Sequence, residues 1–149
     1  MQIKKLLAEE VPLIHSCLLG LAEHHNSIEG SFSGIYPTHT LDERMKDTQE
    51  KLRGGDAVLY AVMEDDKAVG CMFALVDGGV GTLAILYVDK RLRGKGYGDA
   101  LMQKALDFFK EKGVTLIDIN VVAGNNAKSF YEKHGFSLRQ YVMSKRTGE

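Results

Sequence analysis

The chain is 149 residues long, 44% hydrophobic and 26% charged, the proportions of an ordinary globular domain with room for one good core and not two. Nineteen basic against twenty acidic side chains leave a formal charge of −1, which argues against a chain whose main business is coating nucleic acid. No run approaches the ~18 apolar residues of a membrane span, and Met1-Gln2-Ile3-Lys4-Lys5 leads into mixed sequence, not the apolar segment of a secretory leader. Cys17 and Cys71 each stand alone in an apolar stretch, the setting of small core residues and not of a disulfide framework or a zinc site. The expectation is a single cytoplasmic domain over residues 1–149, with no nucleic-acid or membrane partner.

Gln2 to Leu6 can form a short opening strand. Glu9 to Glu23 carries Val11, Ile14, Leu18 and Leu21 three or four apart, which predicts a helix. From His24 to His39 no period holds, and two glycines, four serines and threonines, and Pro37 mark a loop. Sixteen residues are long for a plain connection, and loops of that length are often functional. Thr40-Leu41-Asp42-Glu43 fits a capping box, and Gly54-Gly55 closes the helix it starts.

Three strand-length runs follow: Ala57 to Val62, Ala68 to Val76 and Thr82 to Val88, separated by Asp65-Asp66 and Asp77-Gly78-Gly79 turns. They predict an antiparallel meander. Beyond Val88 the pattern becomes a glycine-rich loop, a helix from Tyr97 to Lys112, a strand from Thr115 to Val122, a helix from Ala127 to His134 and a strand from Phe136 to Ser144. The order β-α-α-β-β-β-α-β-α-β is that of an α/β or α+β layer fold.

The richest stretch is Val88-Asp89-Lys90-Arg91-Leu92-Arg93-Gly94-Lys95-Gly96-Tyr97-Gly98, with four cations in six residues and three alternating glycines before a helix. Unpaired N–H groups and the positive dipole end at a helix start favour an anion, and glycine lets a phosphate approach them. A P-loop would need Ser or Thr after Gly94-Lys95, where Gly96 stands. A dinucleotide fingerprint would need a glycine at Asp99; Asp118 is suitably spaced for a ribose, but only 51 residues follow Gly98, too few for the rest of that fold. The pattern R-x-x-G-x-G is met by Arg93, Gly96 and Gly98.

On those residues the chain resembles the GNAT-type, acyl-CoA-dependent N-acetyltransferases. Asn125-Asn126-Ala127-Lys128-Ser129-Phe130-Tyr131-Glu132-Lys133-His134-Gly135-Phe136 is similar to the later signature of that family, in the right order and at the right separation. The resemblance covers residues from about 82 to 136; residues 1 to 56 match in element order alone. It implies a mixed, mostly antiparallel central sheet flanked by helices, acetyl-CoA as co-substrate, no metal, and a small-molecule or peptide amine as acceptor. A homodimer is compatible with it.

By the same resemblance, Arg93, Gly94, Lys95, Gly96, Tyr97, Gly98 and Asp99 would bind the pyrophosphate of coenzyme A through their backbone. Leu86, Tyr87 and Val88 would pair with the pantetheine arm, a backbone N–H near Leu86 or Tyr87 would meet the oxyanion, and Asn125 or its neighbour Asn126 would touch the cofactor arm. Tyr131 would protonate or hold the departing sulfur. Many relatives carry a glutamate early on the strand before the loop; Thr82 stands there and cannot serve as a base. Glu29, Asp77, His24 and His25 are candidates with no assignment among them. Acceptor recognition would fall to the first two helices, the His24–His39 loop and the strand near Tyr141. Asp99 would point outward from the helix start, and His134 would serve as a helix C-terminal cation. The rival reading is a non-catalytic acyl-CoA-binding sensor or scaffold, favoured by the missing carboxylate and opposed by Tyr131.

Overall fold

A computed structural model describes residues 1–28, 30–122 and 127–148. Its elements run β1 (Gln2–Lys5), a 3₁₀ turn (Ala8–Ile14), α1 (His15–Ile28), α2 (Leu41–Gly54), β2 (Ala57–Glu64), β3 (Lys67–Asp77), β4 (Val80–Val88), α3 (Tyr97–Lys112), β5 (Leu116–Ile119) and α4 (Ala127–Lys133). The five strands lie in chain order, the first three pairings antiparallel and β4·β5 parallel. That one parallel pair needs a crossover, which α3 supplies. Among the described residues no helix is long and apolar enough to cross a membrane.

Each face of the sheet has its own core. Leu59, Ala61, Cys71, Phe73 and Ile85 face the 3₁₀ turn, α1 and α2, where Val11, Ile14, Cys17 and Leu18 are buried against them. Val62, Met72, Ala74 and Leu83 face α3, which buries Leu101, Met102, Ala105 and Phe109. The near-continuous apolar run of β3 follows from this, since a strand covered on both sides has no solvent face to leave polar. The buried cysteines are free but not apart: the Cys17 and Cys71 thiols meet across the α1–β3 contact, and the hydrogen bond with Cys17, then burial, push the Cys71 thiol well up.

Three expected boundaries shift. The first helix splits, because Pro12 has no N–H and the chain around it winds as a 3₁₀ turn before α1 begins at His15. At its other end α1 runs on to Ile28, into the stretch expected to be loop. The last strand, expected from Phe136 to Ser144, does not form. Its apolar residues Leu138, Tyr141, Val142 and Met143 are 57%, 81%, 79% and 93% exposed, so the segment buries no apolar face there against the sheet. The Phe136 N–H bonds back to the Tyr131 carbonyl at 3.1 Å, Arg139 donates to Asp118 at 2.9 Å, and just beyond the segment Arg146 donates to the Ser31 and Ser33 carbonyls.

The meander and its caps match the expectation closely. Thr40 Oγ1 accepts from the Glu43 N–H at 3.1 Å, and Gly55 ends α2 in the left-handed region. Gly78 and Gly79, both at positive φ, make the two-residue turn between β3 and β4.

Candidate functional site

The site begins with one extra residue in β4. Phe73 pairs with Ile85 but Ala74 pairs with Leu83, which leaves Ala84 as a bulge. Leu83 faces α3, and Ala84 and Ile85 then both face α1 and α2 before Leu86 returns to the α3 side. A bulge bends its strand and sharpens the local twist. The parallel pairing of β4 with β5 ends at Leu83↔Ile119, one residue before it. From Ala84 to Val88 one edge of β4 is therefore left without a strand partner. The freed backbone is partly reclaimed by α2, from which Arg44 donates to the Ala84 carbonyl at 3.3 Å.

Where the strands part, a cleft of about 630 Å³ opens. One wall is β4 from Leu83 to Val88; the other is Ile119, Asn120 and α4 through Ala127, Phe130 and Tyr131. Its floor at one end is the loop into α3, with Arg93, Gly94, Gly96, Gly98 and Asp99; α1 closes the other end with Leu21, His24, His25 and Ile28. Gly94 and Gly96 take φ of +80° and +89°, and an added Cβ at either would meet open space. A left-handed backbone with nothing over it exposes N–H groups, which is what a phosphate-sized anion needs.

Of the residues named from sequence, Leu86, Tyr87, Val88, Arg93, Gly94, Gly96, Gly98, Asp99 and Tyr131 all line this cleft. Lys95 is exposed beside it, and Tyr97 turns its ring into the α3 core. Asn125, Asn126 and Glu29 lie outside the described residues. The four loop cations divide. Arg91 forms a two-pronged ion pair with Glu64, at 2.8 and 3.2 Å, and so belongs to the end of β2. Arg93 donates to the Val88 carbonyl at 3.1 Å and lies 6.0 Å over the Tyr87 ring. Lys133, which sequence reasoning passed over, also lines the cleft.

Asp99 does not point outward. Its Oδ1 accepts from Lys133 Nζ at 2.9 Å and meets His134 Nε2 at 2.8 Å, clasping the start of α3 to the end of α4. The bond from Lys133 and then that from His134 hold its carboxyl below the usual range. Phe130 packs between them, 4.9 Å from the His134 ring, and a methyl at Gly98 would touch it at 3.4 Å. Gly98 thus serves helix packing, unlike Gly94 and Gly96.

Tyr131 is held by edge contacts with Phe130 (5.5 Å) and Phe136 (6.1 Å), and burial raises its pKa, so the phenol stays protonated through neutral pH. The Tyr87 ring fits beneath α1 because residue 20 is glycine: a Cβ there would overlap the Tyr87 hydroxyl and come within 2.8 Å of Cζ. Burial and the charges of Asp89 and Glu23 raise the Tyr87 pKa against the opposing pull of Arg93.

At the α1 end, His25 meets Tyr36 edge-on at 5.1 Å, and its pKa is lowered to about 4 by burial, His24 and Arg44. The loop behind them is ordered by Asn26, whose amide donates to the Tyr36 carbonyl and whose oxygen accepts from the Gly34 and Tyr36 N–H groups. Thr82, paired with Asp118 in the closed part of the strand fork, and Asp77, at the far end of β3, do not line the cleft. Of the three base candidates among the described residues, His24 and His25 line the cleft and Asp77 does not.

A search of known proteins agrees with this geometry. Residues 21–136 match the family model described as the Acetyltransferase (GNAT) family. Mycothiol acetyltransferase from Beutenbergia cavernae is 36% identical over 84 residues, 56% of this chain and 26% of that protein. The chain thus spans about a quarter of that relative's length. Among solved structures, a GCN5-related N-acetyltransferase from Ralstonia eutropha superposes with a TM-score of 0.77 at 16% identity, covering 99% of each chain. The PaiA N-acetyltransferase from Thermoplasma acidophilum, crystallised with coenzyme A, gives 0.69 at 20% identity, covering 95% of this chain and 92% of that one. Such identities speak for the fold alone, but the family model spans most of the sequence and both glycine-loop and tyrosine signatures, and the chain accordingly belongs to the GNAT acetyltransferase family.

Proposed function

We propose that residues 1–149 form one acyltransferase domain that moves an acetyl group from acetyl-CoA to the primary amine of a small molecule or peptide, by direct attack within a ternary complex. The observation that carries this reading is the fork between β4 and β5, lined by the left-handed glycine loop and by Tyr131. Gly94 and Gly96 leave room for phosphate oxygens against the loop N–H groups, and Arg93 adds positive charge. The unpartnered edge of β4 from Ala84 to Val88 offers amide groups to the pantetheine arm, and a β4 N–H at Leu86 or Tyr87 would stabilise charge on the thioester oxygen.

In the reaction the amine nitrogen forms a bond to the thioester carbon as the carbon–sulfur bond breaks. Tyr131 donates a hydrogen bond that holds the sulfur as it departs with the bonding electron pair as thiolate; the proton lost from the amine goes to solvent, from which the released thiolate takes up its own. Burial keeps Tyr131 an acid and not a phenolate, which suits that role.

The test combines calorimetry with coenzyme A and release of free thiol from acetyl-CoA across an amine panel. Binding together with amine-dependent thiol release is expected. Failure to bind coenzyme A would overturn the reading, and binding without thiol release would favour a sensor.

A further inference from the structure

Resting on the acetyltransferase reading, we propose that the acceptor amine carries an oxyanion group, a carboxylate or a phosphate, received by Arg44 with His24 and His25 at the α1 end of the cleft. One guanidinium and two imidazoles approach that end from two helices. His24 and His25 line the cleft from the last turns of α1. Arg44 enters from the first turn of α2, and its guanidinium reaches Ala84, itself part of the cleft wall, at 3.3 Å. Among the described residues that bond to a carbonyl is the one its guanidinium makes, and it uses one of five N–H donors.

Arg44 is half-buried, and no carboxylate among the described residues lies within ion-pair distance of it. The acidic charge acting on it most directly is Asp47, one turn along α2, which is itself paired with Lys51 at 3.0 Å. Glu23 is exposed on α1 and acts toward Tyr87. Asp99 lines the cleft at the opposite end and is held by Lys133 and His134. A desolvated guanidinium gains most from an oxyanion that matches its fork, and a half-buried one held by a neutral carbonyl is left to gain it from a ligand. Burial first, then His24 and Arg44, lower the His25 pKa to about 4, so His25 stands there as a neutral imidazole with one N–H to donate. An acceptor with a second ammonium would be repelled at this end.

Matched amines test this without altering the protein: β-alanine against β-alaninamide for a carboxylate, and glucosamine 6-phosphate against glucosamine for a phosphate. The anion-bearing member of at least one pair is expected to show kcat/KM tenfold or more above its neutral partner, and which pair responds identifies the source of the oxyanion. R44Q should reduce that ratio below threefold, and R44K should restore part of it, while calorimetric affinity for coenzyme A is retained in both. Equal rates within both pairs, a preference for the neutral or a dicationic amine, or no turnover of any member by a protein that binds coenzyme A would each overturn the inference. Loss of coenzyme A binding in the unaltered protein would instead strike the acetyltransferase reading beneath it.

Discussion

Replacing Tyr131 by phenylalanine removes one oxygen and keeps the ring that packs at 5.5 and 6.1 Å against Phe130 and Phe136. The fold should therefore be undisturbed and the effect confined to the chemical step. A free phenol titrates near 10 and a free thiol near 8.5. Burial moves the Tyr131 phenol further up, so complete proton transfer to a fully formed thiolate would run uphill. The hydroxyl therefore acts chiefly as a hydrogen bond to developing negative charge, which contributes about 1.5–3 kcal/mol. At 1.36 kcal/mol per decade this predicts a fall in kcat of roughly 10- to 150-fold. Affinity for acetyl-CoA should change by less than about threefold, since the bond strengthens mainly as the sulfur leaves. Stopped-flow detection of thiol at saturating acetyl-CoA reads kcat, and calorimetry with coenzyme A reads affinity. An unchanged kcat, or a loss expressed wholly in affinity, would refute the role given to Tyr131.

Three other outcomes are expected. Gly96→Val forces a β-branched residue to the φ of +89°, a strain of about 1–3 kcal/mol, and should raise the coenzyme A dissociation constant about tenfold or more; unchanged calorimetry would contradict the anion cradle. Gly20→Ala drives a methyl into the Tyr87 ring and should lower stability by about 1–3 kcal/mol in urea unfolding, with full stability in the variant showing that α1 does not rest on Tyr87. The His25 imidazole should titrate near pH 4 by NMR. Because its folded pKa lies below its unfolded value of about 6.5, the unfolded chain takes up the proton first, so stability falls as pH drops from about 6.5 toward 4. His25→Gln should flatten that slope, and a wild-type midpoint near 6.5 would show that Arg44 and burial do not act on it.

The sequence was most readable where local chemistry and periodicity agree. The Thr40 cap, the paired glycines of the β3–β4 turn and the extent of α3 all follow from short-range rules and appear where those rules put them. The glycine loop, between β4 and α3, and Tyr131, within α4, were legible by their two motifs as residues that line one cleft. What was not legible depended on contacts between distant segments. The Ala84 bulge leaves no mark on strand periodicity, since an apolar run buried on both faces looks the same with one residue more. The length of α1 depended on the cleft, toward which His25 and Ile28 turn. Asp99 looked like a first-turn acid facing solvent because Lys133 and His134 are more than thirty residues away in the chain. Phe136 to Ser144 has the apolar content and the opening alternation of a strand, but Leu138, Tyr141, Val142 and Met143 all stay exposed, so local pattern alone did not decide it.

The extra residue at position 84 has a reach beyond its own turn of chain. Because the gap between the fourth and fifth strands is set by how many peptide units each contributes, its width does not depend on the side chains that border it. Those side chains are then at liberty to diverge: on the function proposed above, residues on the first two helices could be exchanged to suit a different acceptor while the slot offered to the donor kept its dimensions. Deleting that one alanine would do the reverse, letting the two strands zip onward past Leu83 and Ile119 and erasing the slot while leaving every one of its bordering residues in the chain.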